Sequence, residues 1–315
     1  MAWKWRAKSR NKTIVTVVCF LITFFFFFPI LWWFLCSLKP YGDIFHLPPI
    51  LIFKPTLTWY QVVLGGVFYQ STELAQTGAI TGEGGGLYYS IPYLRDSTII
   101  AVVSTALVVG IASLAAYGLS RFSFRRRENL VFWILSTRMM PPIVAALPFY
   151  LMYLNIQNVL RSNPNMPDFL RNLQMVDTYH GIILLHTIMN LPLAILMLKS
   201  FFDDVPRELD EATLVDGGNR LHAFWIVLHY IRPGLAATAI LSFIFSWNEF
   251  LLTLVLTKGG VRTMPVAAST FITAYGVEWG YLAALGSAAM VPVFIFILLV
   301  QQHLVRGLTL GAVKG

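Results

Sequence analysis

Charge is what this sequence has least of. Only 12% of its 315 residues are Asp, Glu, Lys or Arg, where a soluble domain carries about a quarter. With 57% hydrophobic residues and a positive mean hydropathy of +0.67, that scarcity excludes a soluble globular chain and leaves a membrane protein. Cysteine is nearly absent as well. Cys19 and Cys36 are the whole supply, and both lie in or at the end of the first apolar run, poorly placed for a structural disulfide and uninformative about redox compartment. Also missing are a cluster of residues with metal-ligand spacing, a nucleophile elbow and a Gly-x-x-x-x-Gly-Lys-Ser/Thr phosphate loop. Each of these motifs places chemistry at a defined backbone geometry. Without them the chain is expected to be no enzyme and to bind no cofactor or metal, so any ATP used is bound, with Mg, by another chain. The formal charge of +8 raises nucleic acid as a partner, but the location of the charge excludes it. Lys4, Arg6, Lys8, Arg10 and Lys12 precede the first apolar run, and Arg121, Arg125, Arg126 and Arg127 follow the second. Basic residues at the ends of spans mark the cytoplasmic face of a bilayer.

What is abundant is long apolar runs, each near the length of about 20 residues that a membrane-crossing helix needs. The first is Thr13 to Leu38, with Phe24 to Phe28 in its middle and Trp32 and Trp33 toward its far end as interfacial anchors. It is about twice the length of a signal-peptide core and lacks a small-residue cleavage site. Later spans are expected at Ser97 to Leu119, about Leu130 to Tyr150 (broken by Pro141-Pro142 and Pro148), Tyr179 to Met197, Leu235 to Leu256 and Tyr281 to Val300. In the second, Gly110, Ala112, Ser113, Ala115 and Ala116 permit close helix packing. This gives an all-α membrane protein with six transmembrane helices. It divides into a basic N-terminus (1–12), a first helix (13–38), a segment rich in Gly and Pro (39–96) and a core (97–315).

Between the fourth and fifth spans lies a polar stretch, residues 203–233. Pro206 opens a short helix, and Glu208, Asp210 and Glu211 suit the positive end of its dipole. Gly217-Gly218 ends it through the left-handed backbone that glycine tolerates. Asn219 then caps a second helix, whose Leu221, Phe224, Trp225 and Leu228 at i, i+3, i+4 and i+7 predict an amphipathic stripe. Arg232-Pro233-Gly234 closes that helix before the next span.

Glu211-Ala212-Thr213-x-x-Asp216-Gly217 resembles the EAA loop of permease subunits in binding-protein-dependent ABC importers. In that family the loop forms a coupling helix that docks into a cytoplasmic ATPase. Here the family's second alanine is Thr213, the alanine after the glycine is Gly218, and its LP pair reads Leu228-His229. Further stretches resemble the carbohydrate permeases of the maltose type. They are Ser37-Leu38-Lys39-Pro40 with Pro48-Pro49 and Thr56 to Tyr60, Ala115-Ala116-Tyr117 with Arg121-Phe122, Ser246 to Phe250, Arg262 to Val266, and the terminal Leu304 to Gly315. Residues Gly65 to Tyr89 look like an insertion relative to that family. Its Thr81-Gly82-Glu83-Gly84-Gly85-Gly86 lacks the strand–turn–helix context of a phosphate loop and reads as a flexible external linker.

The resemblance implies the type I ABC importer permease fold, with Glu211, Ala212, Thr213, Asp216 and Gly217 as the ATPase-coupling residues. Its implied partners are a homologous second permease, a cytoplasmic ATPase dimer, an extracytoplasmic solute-binding protein and the lipid bilayer. The implied cargo is a mono- or oligosaccharide, with a polyol or glycerol-phosphate as the alternative. With the N-terminus inside a prokaryotic cell membrane, fifteen basic residues fall in cytoplasmic segments against seven outside. The excess puts both termini and the 203–233 loop in the cytoplasm. An ATPase-independent secondary carrier is the rival, but its halves should repeat visibly, and these do not. Ionisable and polar residues within spans mark a cargo path by default. Those here are Arg138, roughly 13 Å into the third span, His186 with Asn190 one turn on, and Trp247-Asn248-Glu249. The alternative is that Arg138 and Glu249 are structural, paired to each other, to backbone or to a neighbouring subunit.

Overall fold

The computed structural model describes residues 9–65, 90–273 and 276–311. The insertion beyond Gly65, the basic Lys4, Arg6 and Lys8, and the last four residues lie outside the described residues. Contacts group the chain into two compact units, residues 1–90 with 270–288 and residues 91–269 with 289–315. Five described helices are long and apolar enough to cross a membrane, and a sixth span arises if one bent pair is counted as a single crossing.

The first unit begins with α1 (Ser9–Cys36). It turns apolar side chains outward along its length, with Phe20, Phe25 and Phe26 all more than 70% exposed. In water that surface would be costly; in a bilayer it is at home. Past α1 the chain doubles back through two short helices, α2 (Tyr41–Ile44) and α3 (Thr58–Gly65). The Ser37-Leu38-Lys39 stretch is the knot of this collar. Ser37 Oγ meets Tyr60 Oη at 2.7 Å, Thr56 N–H donates to the Leu38 carbonyl at 2.8 Å, and Trp59 Nε1 donates to the Lys39 carbonyl at 2.7 Å. Lys39 is fully buried with its ammonium 4.1 Å from the Trp32 ring centre, a cation–π contact where the described residues supply no counter-ion. Trp59 also packs edge-on against Tyr281 at 4.8 Å. Gly280 permits this approach, since a Cβ there would lie 2.5 Å from the Trp59 ring.

The second unit holds α4 (Ile91–Arg121), α5 (Arg127–Thr137), α6 (Pro142–Ser162), the short α7 (Asp168–Arg171) and α8 (Tyr179–Asp203). Next come α9 (Glu208–Val215), α10 (Arg220–Tyr230), α11 (Arg232–Trp247), α12 (Leu251–Leu256) and α13 (Met264–Ser269). In the first unit a two-residue hairpin, β1 (Ile272–Thr273) with β2 (Gly276–Val277), leads into α14 (Trp279–Gly311), which continues into the second. The core of the second unit is α4 against α8. Ala112 and Ala116 are fully buried beside Leu198 and Phe202, so small residues do bring two backbones together. Gly110 is exposed with open space around it, so it has no part in that contact.

Four expectations change. The third span is not one broken helix at 130–150. Pro141 and Pro142 cannot donate to the preceding turn, so α5 ends at Thr137 and α6 runs unbroken through Pro148 to Ser162. The fifth span is two helices, α11 and α12, parted at Asn248–Phe250. Pro233 does not close α10; it sits in the first turn of α11, which leaves α10 at an angle of 76°. The buried side of α10 is Ala223, Phe224, Val227 and Ile231, whereas Leu221 and Trp225 are each 59% exposed. The face that packs is thus rotated from the predicted stripe.

Candidate functional site

Two places concentrate polar groups. The first is α9 and its junction with α10. Glu208, Asp210 and Glu211 occupy the first turn, where carboxylates offset the helix dipole. The helix ends in a Schellman motif: Gly217 N–H donates to the Leu214 carbonyl at 3.2 Å and Gly218 N–H to the Thr213 carbonyl at 2.9 Å. Gly217 has φ +84°, a backbone state that penalises any Cβ. A Cβ on Gly218 would lie 2.8 Å from the Thr213 carbonyl oxygen, so the second glycine is required by crowding instead. Asn219 caps α10, its Oδ1 accepting the His222 N–H at 2.8 Å.

The two faces of α9 differ in kind. Inward, Asp210 accepts the Tyr117 hydroxyl at 2.6 Å and lies 2.9 Å from Arg121 Nε. The arginine contact lacks hydrogen-bond alignment, so it is an ion pair only. Both charged side chains are 4% exposed. Arg121 also donates to the Val205 carbonyl at 3.0 Å, Arg207 to the Ser120 carbonyl at 3.1 Å, and Ser120 Oγ to Asp203 at 2.6 Å. Asp203 further pairs with Lys199. The end of α4 is thereby pinned to α9 and to the end of α8. Outward, Glu211, Ala212, Val215, Asp216 and Gly217 are exposed, Val215 by 86%. Of the five residues named from the sequence, only Thr213 faces in, 7% exposed with its hydroxyl on the Leu209 carbonyl. Sequence reasoning took Asp210 only as a first-turn acid, and Tyr117 and Arg121 only as part of a family-like run and a basic flank, and did not join the three. The i, i+4 spacing of Tyr117 and Arg121 puts them on one helix face, which is the signal that was there to use.

The second place is a cavity of about 600 Å³ within this unit, into which Arg138, His186, Asn190 and Glu249 all project. Four of the residues singled out by type are therefore neighbours here. Arg138 is exposed at the end of α5, donates to the Met189 carbonyl at 3.2 Å and lies 5.0 Å from the Phe245 ring centre. Glu249 accepts the Leu252 N–H at 3.0 Å and so caps α12. Arg138 and Glu249 do not form an ion pair among the described residues. His186 is 1% exposed with both ring nitrogens engaged, Nδ1 with Ser246 Oγ at 2.8 Å and Nε2 with Thr253 Oγ1 at 3.0 Å. Ser246 in turn meets Ser104 Oγ at 2.9 Å. This buried chain ties α4, α8, α11 and α12 together across the break in the fifth span. Trp247 and Asn248 do not join the cavity lining. Trp247 is 5% exposed and stacked on Phe243 at 5.6 Å, and Asn248 turns back to the Ile244 carbonyl at 2.9 Å.

At the other end of α4 the Thr257–Met264 loop is held by carboxylates. Asp96 accepts the Tyr179 hydroxyl at 2.6 Å and the Arg262 N–H at 3.3 Å, while Ser97 Oγ accepts the Met264 N–H at 2.7 Å. Asp177, at φ 62°, accepts the N–H groups of Gly260 and Val261. Partial burial by itself would raise the Asp177 pKa. The backbone N–H groups of Lys258, Gly260, Val261 and Gly259 outweigh it and hold the carboxyl below the usual range.

Residues 106–310 match the family described as binding-protein-dependent transport system inner membrane component. The chain is 30% identical to a probable ABC transporter permease protein, y4oR, of Sinorhizobium fredii, over 98% of both chains. It is 35% identical to the trehalose/maltose transport system permease protein MalG of Thermococcus litoralis, over 71% of this chain and 75% of that one. It is also 30% identical to the trehalose transport system permease protein SugB of Mycobacterium tuberculosis, over 98% and 99%. Among solved structures, a chain of a bacterial ABC transporter involved in import of the acidic polysaccharide alginate superposes with a TM-score of 0.62. The match covers 96% of this chain and 99% of that one at 18% identity, a likeness of fold.

Proposed function

The chain belongs to the binding-protein-dependent transport system inner membrane component family, and on that footing we propose that it is one permease subunit of an ATP-driven carbohydrate importer. The sugar assignment draws on the relatives, which are named for trehalose, maltose, diacetylchitobiose and arabinooligosaccharides. In this reading an extracytoplasmic binding protein delivers the sugar. A second, homologous permease completes the path, and a cytoplasmic ATPase dimer binds the ATP and Mg and supplies the work. The excess of basic residues, fifteen against seven, summed over all the segments on the same side of the bilayer as α9 supports a cytoplasmic position for it.

The observation that carries the proposal is the two-faced character of α9. A helix that only capped a loop would not need a buried ion pair beneath it and an exposed acidic and apolar surface above it. Force applied to Glu211, Ala212, Val215 and Asp216 passes through Asp210 to Arg121 and Tyr117, at the end of the 31-residue helix α4. The Asp203 cluster carries the same displacement to α8. Closure of the ATPase dimer then moves α4 and α8 together, and opening after hydrolysis returns them.

The test is reconstitution of the chain with its second permease, ATPase and binding protein in liposomes. Sugar uptake is expected to require ATP. Glu211→Lys, which reverses charge on the free face without touching the tether, is expected to keep basal hydrolysis and lose uptake by at least about tenfold, the equivalent of ~1.4 kcal/mol of coupling. Coupled uptake unchanged by Glu211→Lys, or uptake by the purified chain alone, would refute the proposal.

A further inference from the structure

We infer that the cavity between α5, α6, α8 and the α11–α12 break is a subsite in this subunit for one neutral sugar unit, held chiefly by Asn190, Arg138 and Glu249. The inference rests on the carbohydrate-importer reading and adds where cargo is held and of what charge. Its size of about 600 Å³ falls within the range of small-molecule pockets, roughly 300–1,000 Å³. The lining is mainly apolar, with Trp133, Phe149 and Phe245 supplying aromatic surface and a few polar groups converging. That is the pattern a pyranose requires, with C–H faces against rings and hydroxyls against donors and acceptors.

The decisive group is Asn190. It is 7% exposed, it lines the cavity, its side-chain amide has no hydrogen-bond partner among the described residues, and that amide is not sealed off from the cavity. A primary amide in a membrane interior without partners is costly. By contrast, His186 has spent both nitrogens on Ser246 and Thr253, so it shapes the wall and does not read the ligand. Arg138 keeps most of its five N–H donors, having one bond to the Met189 carbonyl and a face on Phe245. Glu249 keeps one carboxylate oxygen beyond its bond to Leu252. Free groups therefore include a donor, an acceptor and an amide that is both, which suits vicinal hydroxyls.

Charge sets the ligand class. Arg138 and Glu249 contribute opposite formal charges to one cavity and are not locked to each other among the described residues. An anionic sugar would meet the Glu249 carboxylate and a cationic one the Arg138 guanidinium. A neutral ligand incurs neither repulsion.

The test uses the full complex, with Cys19→Ser, Cys36→Ser and Thr137→Cys, a cavity-lining position given no part in holding the sugar, in this chain and a cysteine-free second permease. Labelling of the new thiol by a small methanethiosulfonate is timed against a panel of neutral mono- and disaccharides, including trehalose and maltose, and against glucuronate and galacturonate. ATP-driven uptake of the same panel is measured with the wild-type complex. The expected result is that a neutral sugar which is taken up slows labelling at least about fivefold, while the uronates do not. In a second variant, Asn190→Leu is expected to keep ATPase stimulation by the loaded binding protein but to lower uptake about tenfold. Uptake of a neutral sugar without protection, or stronger protection by a uronate, overturns the subsite and leaves the importer reading standing. Absence of both uptake and protection across the panel overturns the carbohydrate reading and the subsite with it.

Discussion

The tether beneath α9 makes a quantitative prediction. Asp210→Ala removes the carboxylate from a pair in which both side chains are 4% exposed, leaving the Arg121 guanidinium buried without a counter-charge. Breaking a buried pair in this way costs about 3–5 kcal/mol, and burial this deep means that solvent screening does little to reduce it. Asp210→Asn retains an acceptor for the Tyr117 hydroxyl and is expected to cost about 1 kcal/mol less, the net worth of one hydrogen bond. Arg121→Met alone leaves Asp210 with Tyr117 but no cation. The double variant Asp210→Ala with Arg121→Met carries no unpaired charge, so it is expected to recover about 1–3 kcal/mol relative to the sum of the single changes. Denaturant-induced unfolding of the wild type, Asp210→Ala, Arg121→Met and the double variant in one detergent provides the cycle. A single-variant cost below about 1 kcal/mol, or additivity within about 0.5 kcal/mol, would show that the pair is not coupled and that α9 is held by something else.

Two other consequences follow from local geometry. Because the Asp177 carboxyl is held below its unfolded value of about 4, the stability it confers on the Thr257–Met264 loop is complete above that pH. It is lost as pH falls through the lower folded value; the protection of the Gly260 and Val261 amides, taken against the intrinsic exchange rate at each pH, is expected to fall in that acidic window, and Asp177→Asn to abolish that fall. At Gly217, whose φ is +84° with open space around it, Gly217→Asn is expected to be mild. Gly217→Val should cost about 1–2 kcal/mol more, seen as an earlier melting transition, and equal effects of the two would argue against the left-handed turn.

How much of this was legible in the sequence depended on the reach of each interaction. The start of α9, its glycine ending and the Asn219 cap are set within five residues, and they were readable. The buried face of α10 was not. Periodicity gave Leu221, Phe224, Trp225 and Leu228; the surface formed by Phe202 and Tyr117 takes Phe224, with Leu228 packed beside it, and leaves Leu221 and Trp225 exposed, and that choice is made more than twenty residues away. Asp210 looked like one of three first-turn acids. Its special status comes from Arg121, 89 positions earlier, which no local pattern encodes. In the cavity, residue type alone brought Arg138, Asn190, His186 and Glu249 to notice because polar groups in spans are rare. The same criterion drew in Trp247 and Asn248, which packing and a backbone bond turn away from the lining. The third span was misplaced because Pro148 was weighed equally with Pro141-Pro142. Two adjacent prolines remove neighbouring donors and end α5, whereas a single one is carried within α6.

Everything proposed for α9 requires that its free face meet the cytoplasm. Val215, 86% exposed at the end of that face, is the reporter. In a chain with Cys19→Ser and Cys36→Ser, Val215→Cys can be treated with a membrane-impermeant maleimide in intact spheroplasts and in inverted membrane vesicles. Labelling in inverted vesicles alone, suppressed when the partner ATPase is bound, is the predicted result. Labelling from outside intact spheroplasts would contradict the account.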